Sequence, residues 1–269
     1  RRITNKIENH AALTLYQGAS RAFGTAGTTP FASNFNEIAE LRQILVDNGM
    51  PLDGQTTLAI NSSAGTKLRN LAQLQKVSES GGEELLRRGE LLNLQGMMLK
   101  ESNGIAAHTK GTATSGLVNG ALAIGATAIV VDTVTAGGTG YAAGDVITFA
   151  ADAVNKYVVV SGFVGTAGTI TIGGAGLRVA IADNNAITVG ANYTANVAFH
   201  RSAAELVVRP PAQPFGGDAA VDRMTVQDPF SGLIYEIAVY KGYGKVMFDV
   251  TTFYAAKVWK GDFVANLLG

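Results

Sequence analysis

A stretch of short apolar segments over residues 140–211 constrains the fold of this chain more than any other feature. Its segments are alternating or β-branched runs separated by Gly and Asn: residues 146–149 (VITF), 157–160 (YVVV) and 169–172 (TITI). Such runs, bounded by turn residues, are typical of β-strands. The next apolar run stops at Pro210 and Pro211, because proline cannot continue a helix and is confined to strand edges. The stretch therefore predicts a small Gly-rich β module that ends near Asn196, followed by a different module.

Helical and strand patterns alternate in the part of the chain that precedes this module. Residues 1–22 have helical spacing, and residues 34–48 form an apolar stripe that Asn48-Gly49 and Pro51 end. Residues 56–61 (TTLAIN) predict a buried strand, and a helix follows from Ser62 or Ser63. Further on we predict a short charged helix or turn at residues 83–90 and a strand at 91–101. The alternation indicates a mixed α+β domain.

The last third of the chain predicts a long β-hairpin. Residues 224–228 and 232–240 are strand candidates joined by a turn with Pro and Gly, and a further strand follows at residues 246–254. Apolar residues occur on both faces of residues 234–240, so we expect a strand covered on two sides. Residues 256–269 are expected to form a short tail that packs down.

Composition excludes several classes of protein. Lys plus Arg and Asp plus Glu both number 21, so the chain lacks the excess of basic residues that is typical of nucleic-acid-binding proteins. Because the net charge is zero, copies of the chain repel one another only weakly. The chain has no cysteine, which excludes disulfides, thiolate metal sites and a cysteine nucleophile. No apolar run reaches the roughly 20 residues of a membrane span, and no secretory signal opens the chain. Residue 1 is not Met and helical spacing begins at once, so we expect an N-terminally truncated chain.

Three segments carry a family resemblance: GYAAGDVITFA, GTITIGGAGLRVAIADNNAITVG and AFHRSAAELVVRPP. In this order they resemble the central part of major capsid (coat) proteins of tailed phages and prophages, in the branch of the coat protein of a Salmonella podovirus. The resemblance extends more weakly over residues 34–269. It implies an α+β chain with the HK97-like major capsid protein fold, which has axial and peripheral domains, and with an inserted small β-barrel-like domain.

The resemblance also implies a domain order. Residues 1–22 would be the end of the spine helix in the peripheral domain, and residues 23–116 the first part of the axial α+β domain. Residues 117–196 would be the inserted β domain. Residues 197–269 would return to the axial and peripheral domains and include the C-terminal β-hairpin.

The implied function is structural. The chain would be a major capsid subunit that assembles with itself into pentamers and hexamers of an icosahedral phage or prophage head, with a scaffolding protein as partner. Packaged DNA would be contacted only non-specifically, and no membrane, small-molecule substrate or cofactor is expected. The chain would be made in the bacterial cytoplasm and reside in the virion. The alternative is a phage tail or adhesion component with a β-rich binding module.

No catalytic, cofactor-binding or metal-binding residue is expected, so the chain is predicted not to be an enzyme. Gly138-x-Gly140-x-x-Ala143 matches the dinucleotide fingerprint as a string, but Gly144-Asp145 precedes a strand where the fingerprint needs a helix.

The isolated polar residues also have simpler interpretations. The three histidines, His10, His108 and His200, lack metal-ligand spacing, and His200 beside Arg201 is expected to fix a corner by hydrogen bonding. Glu79, Glu83 and Glu84 are expected to pair with Arg87 and Arg88 on an exposed face. The acids of the β module are expected to be turn residues: Asp132, Asp145, Asp152 and Asp183.

The aromatic tail leaves two interpretations open. Its aromatic residues could close the core of the chain or anchor it to another subunit, and we weight the two equally: Phe253, Tyr254, Trp259 and Phe263. The second interpretation arises because aromatic residues concentrate in interface cores.

Overall fold

The computed structural model describes residues 2–76, 93–135, 137–213, 215–229 and 231–269. Over these residues the chain is mostly β, with 40% of residues in strands and 18% in helices. The predicted α+β, HK97-like fold class is therefore wrong. The physical reason lies in the strand-forming runs: after residue 93 the described chain forms strands joined by turns, with helix only in two single 3₁₀ turns.

Four α-helices occur in the described residues: α1 (Arg2–Gln17), α2 (Asn36–Asp47), α3 (Ser62–Arg69) and α4 (Ala72–Gln75). Ile38, Leu41 and Leu45 of helix α2 are buried in the core, because their spacing places them on one face of the helix. The Asn61 side chain caps α3 by accepting a hydrogen bond from the Ala64 N–H at 2.9 Å.

The chain divides into two compact units. Unit 1 comprises residues 1–11 and 205–257, and unit 2 comprises residues 12–204 and 258–269. The domain boundaries expected from the resemblance are not tested by this division and stay predictions.

Unit 2 contains a large mixed sheet of thirteen strands. They are β1 (Arg21–Gly24), β2 (Thr56–Ile60), β3 (Asn93–Leu94), β4 (Met97–Glu101), β5 (Ala107–His108), β6 (Leu117–Val118), β7 (Ala128–Asp132), β8 (Val146–Phe149), β9 (Asp152–Ser161), β10 (Gly168–Ile172), β11 (Ile187–Val189), β12 (Tyr193–His200) and β18 (Val264–Leu268). The main path runs β3-β4-β2-β12-β18-β1-β9-β10-β7-β6. Strand β18 is thus central, antiparallel to β12 and parallel to β1.

Two buried asparagines hold β18 in place. The Asn196 side chain accepts a hydrogen bond from the Asn61 N–H at 2.8 Å and donates to the Leu267 carbonyl at 3.3 Å. Asn266 on β18 donates to the Tyr16 carbonyl at 2.8 Å. Because a buried amide is costly unless it is hydrogen-bonded, these bonds favour one register for β18.

Six strands of unit 2 close into a ring. Strands β6, β7, β10, β9, β8 and β11 pair in that order, and the bridge between Leu117 and Ala186 joins the last to the first. Alternate residues of these strands are buried in one cluster: Ile129, Val131, Ile147, Phe149, Tyr157, Val159, Ile170 and Ile172. A period of two places them on one face, so they fill the inside of the ring.

Unit 1 contains two small sheets. One pairs β13 (Ala204–Arg209) with β17 (Phe253–Val258), and both strands run one residue into unit 2. The other has the order β14-β15-β16 and is antiparallel, with β14 (Ala220–Gln227), β15 (Ile234–Gly242) and β16 (Lys245–Thr251).

Several local predictions differ from the structure. The helix predicted for residues 1–22 ends at Gln17, and Arg21–Gly24 is strand β1. The single strand predicted at residues 246–254 is two strands in different sheets. The expected tail includes the 3₁₀ turn Gly261–Phe263 and strand β18. The helix or turn predicted at residues 83–90 lies outside the described residues.

We predict that Leu267→Ala on β18 destabilises the protein by about 2 to 5 kcal/mol, because Leu267 is fully buried and truncation leaves a cavity. Urea unfolding followed by circular dichroism measures the change. Leu52→Ala is the matched control, since Leu52 is exposed, and should change the unfolding free energy by less than about 0.5 kcal/mol. Equal effects of the two variants would contradict the central position of β18.

Candidate functional site

A buried polar cluster surrounds Asp145 in unit 2. The Asp145 carboxylate is fully buried and accepts three hydrogen bonds: from the Gly111 N–H at 2.9 Å, the Ala142 N–H at 2.8 Å and His108 Nε2 at 2.9 Å. Because a carboxylate only accepts, Nε2 carries the proton of that last bond. His108 Nδ1 lies 3.4 Å from the Tyr16 hydroxyl, which donates to it when the ring is neutral.

Two tyrosines near this cluster have raised pKa values because they are buried. Burial raises the pKa of Tyr141 to about 12, and the Asp145 charge adds to the effect. Burial likewise raises the pKa of Tyr193, whose hydroxyl donates to the Gly144 carbonyl at 2.7 Å. The protonated hydroxyls and the fully bonded carboxylate offer no free base. The cluster therefore ties residues 108–111 to the turn before β8, as a structural arrangement.

His200 is the centre of a second polar group that connects Asp53 and Ser202. His200 Nε2 lies 2.9 Å from Asp53 Oδ1, and Nδ1 lies 2.8 Å from Ser202 Oγ. A hydrogen bond from the Gln55 N–H, and then the one from His200, lower the pKa of Asp53. This order of groups matches the connectivity of a serine–histidine–acid triad.

The geometry of that group favours capping over catalysis. The Ser202 backbone N–H also donates to His200 Nδ1, at 3.2 Å, and so uses the lone pair that a general base needs. His200 thereby caps the 3₁₀ turn Arg201–Ala203. No local sequence pattern indicates Asp53, because 147 residues separate it from His200.

The dinucleotide-like string forms a turn. Gly140 has a φ of +59°, and a Cβ there would overlap the Phe163 carbonyl oxygen, so backbone packing requires this glycine. Strand β8 follows Asp145 where a nucleotide site would need a helix N-terminus.

The acids of the β module do not meet one another. Asp183 accepts from the Gly120 N–H at 2.7 Å on the surface, and Asp152 accepts from the Tyr157 hydroxyl at 2.7 Å inside. Among the described residues no group of three His, Asp or Glu side chains is placed to hold a metal ion. Glu79, Glu83, Glu84, Arg87 and Arg88 lie outside the described residues.

A cavity of about 410 Å³ opens beside β1 in unit 2, with Glu37 and Lys156 in its lining. The Lys156 ammonium donates to the Gly24 carbonyl, and burial lowers the pKa of this lysine. The Glu37 carboxylate accepts from the Phe31 N–H at 3.3 Å. Both charged groups therefore already support the loop that forms the cavity wall.

The most unusual surface of the chain belongs to unit 1. None of its described residues joins any of the three hydrophobic clusters found in the described chain. Instead its strands expose large apolar side chains: Leu206, Val207, Val221, Met224, Val246, Met247, Phe248, Val250 and Phe253. We call these residues the unit 1 apolar surface. Apolar surface of this kind marks interaction sites in soluble proteins.

Of the aromatic residues in the tail, one packs against the core and two are exposed. Phe263 packs against two core clusters of unit 2. Trp259 is 63% exposed, and Phe253 belongs to the unit 1 apolar surface. Tyr254 makes an edge-to-face contact with His10.

A charged group supports the sheet β14-β15-β16. Arg223 on β14 forms ion pairs with Asp218 and with Glu236, the latter at 2.6 Å. The hydrogen bond from Arg223, followed by bonds from the Ala220 N–H and the Tyr240 hydroxyl, lowers the pKa of Asp218 to about 2.

Comparisons with known proteins find a weak structural neighbour of this chain. No protein-family model matches the chain. No curated protein matches it either. A solved structure named for Mycobacterium phage Che8 is similar with a TM-score of 0.46 and 16% identity, over 99% of this chain and 59% of that chain. This chain therefore spans about 59% of the length of that phage protein. Among the described helices none is long and apolar enough to span a membrane.

We predict that Asp145→Asn lowers the free energy of unfolding by about 1 to 3 kcal/mol, because the new amide group meets a buried donor. Asp183→Asn is the control, since its carboxylate is exposed and accepts one backbone bond on a surface turn. Urea unfolding compares the two, and the interpretation fails if the buried and the exposed change cost the same.

We predict that Arg223→Gln raises the pKa of Asp218 from about 2 toward its ordinary value of 3.8. With the depressed pKa, Asp218 stabilises the folded state above the unfolded pKa, and this contribution is lost as the pH falls through about 2. Carboxyl NMR titration measures the shift. Arg209→Gln should leave the titration unchanged, and an equal shift there would contradict the assignment.

Proposed function

We propose that this chain is a structural virion protein, a major capsid subunit that assembles with copies of itself into the head of a tailed phage or prophage. The order of the three resembling sequence segments directs the proposal to a phage head. The weak structural neighbour is a phage protein, and the proposal does not rest on it.

The unit 1 apolar surface is the observation that carries self-association. Its members lie on both faces of β16 and on the paired strands β13 and β17. Roughly 25 cal/mol of free energy is gained per Å² of apolar surface removed from water, so neighbours that cover these strands are favoured. Rings form when the same pair of patches meets around a closed axis.

Charge also supports association between copies. Lys plus Arg equals Asp plus Glu at 21 each, so long-range repulsion between identical chains is small. In the proposed role the products would be pentamers and hexamers in the virion, formed in the host cytoplasm with a scaffolding partner. DNA would meet the shell only non-specifically, and the chain would not act as an enzyme.

The mostly β architecture favours a second candidate function. A tail or adhesion component with a β-rich binding module would also contain many short strands and a closed ring such as β6 to β11. Tail fibres are typically trimers, whereas capsomers have five or six subunits, so the mass in solution separates the two functions.

We predict that the purified chain forms five- or six-fold species, or larger closed particles, at high concentration. Light scattering coupled to size exclusion measures the mass. A strictly monomeric chain at all concentrations would overturn self-association, and a trimer would favour the tail component.

A matched pair of variants tests whether the unit 1 apolar surface is responsible. Phe253→Ser removes an exposed apolar side chain from β17 and should shift the mass toward monomer. Ile124→Ser removes an exposed apolar side chain from unit 2 and should leave the mass unchanged.

A further inference from the structure

Strand β16 is an exposed sheet edge. Among the described strands it pairs only with β15, through seven consecutive residue pairs without interruption. Its central side chains are exposed on both faces, with Phe248 at 69%. An exposed, regular and apolar edge is a template for pairing with a further strand.

The opposite edge of the same sheet is protected. Strand β14 has a register shift between Ala220 and Asp222, and Arg223 on it is engaged by Asp218 and Glu236. Bulges and charged residues are the usual means by which proteins block edge pairing. Strand β16 has neither a bulge nor a proline, and its only charged residues are Lys245 and Asp249.

Lys245 and Asp249 lie two residues on either side of Met247, a spacing that suits a second copy of the same strand as partner. If two copies of β16 pair antiparallel with Met247 opposite Met247, then Lys245 of each copy lies opposite Asp249 of the other. Val246 then lies opposite Phe248. Directly opposed residues share a face in an antiparallel pair, and opposite charges at such positions stabilise it.

We propose that β16 pairs antiparallel with β16 of a second copy of this chain, about a two-fold axis at Met247. The pair joins two three-stranded sheets into one sheet of six strands and gives the unpaired backbone groups of both edges their partners. The inference deepens the proposed function, on which it rests, by assigning one contact between copies to a defined strand and register.

Cross-linking tests the register directly. Because the chain has no cysteine, Met247→Cys introduces a single thiol. Opposed residues in an antiparallel pair have Cα atoms about 4.5 to 5.5 Å apart, a separation that suits a disulfide. Mild oxidation should therefore convert most of the Met247→Cys chain into a linked dimer.

The matched control is Met224→Cys on the protected edge. Met224 and Met247 are exposed to similar extents, 56% and 59%, and lie on the two edges of one sheet. We expect the Met224→Cys chain to remain largely unlinked under the same conditions. Equal linking of the two variants would overturn the proposal.

Charge reversal gives a second readout that does not depend on the thiol position alone. Lys245→Asp and Asp249→Lys, each in the Met247→Cys background, place like charges opposite one another and should each weaken pairing by about tenfold. An equimolar mixture restores both attractive pairs, so linked dimer between the two variants should return. Failure of the mixture to restore linking overturns the proposed register.

The outcomes separate this proposal from the proposed function. If light scattering shows rings or particles and Met247→Cys does not link, the β16 pairing is wrong and the assembly function stands. If the unmodified chain is monomeric throughout, both are wrong. If Met247→Cys links in a chain that forms only dimers, the pairing is right and the shell function is wrong.

Discussion

The pairing of β18 between β12 and β1 is the constraint on which unit 2 depends. Without Val264–Leu268 the main sheet path would separate into two parts, one ending at β12 and the other at β1. Asn196 and Asn266 direct hydrogen bonds onto this region, so an alternative register would leave buried amides unpaired. The buried side chains of α2 then complete the core on this sheet.

The two units place their apolar residues differently. In unit 2 the alternating residues of β7 to β10 fill a ring, and the buried Asp145 carboxylate accepts three hydrogen bonds. In unit 1 the same strand pattern leaves Met247 and Phe248 at the surface. The same alternation of apolar residues therefore leads to burial in unit 2 and to exposure in unit 1. The difference depends on whether other strands cover the apolar face.

Local patterns predicted much of the strand content and little of its arrangement. The runs around Ile147, Val159 and Ile170 form strands as predicted, because period-two burial is visible in a few residues. Strand β18 (VANLL) is too short and too polar at Asn266 for such a pattern, and β1 directly follows a helical repeat. The bond between Asp53 and His200 likewise depends on long-range pairing, which no local pattern encodes.

The central position of β18 has a consequence for synthesis. Ser20 and Val264, which meet at the edge of this pairing, are separated by 244 residues. A contact of such separation forms late, because a long loop must close first. While the ribosome makes the chain, β1 and β12 therefore have unpaired edges until residues 264–268 emerge. In a nascent chain of this design these two edges stay open until the end of synthesis, and the folded form is available to neighbours only after that strand has been translated.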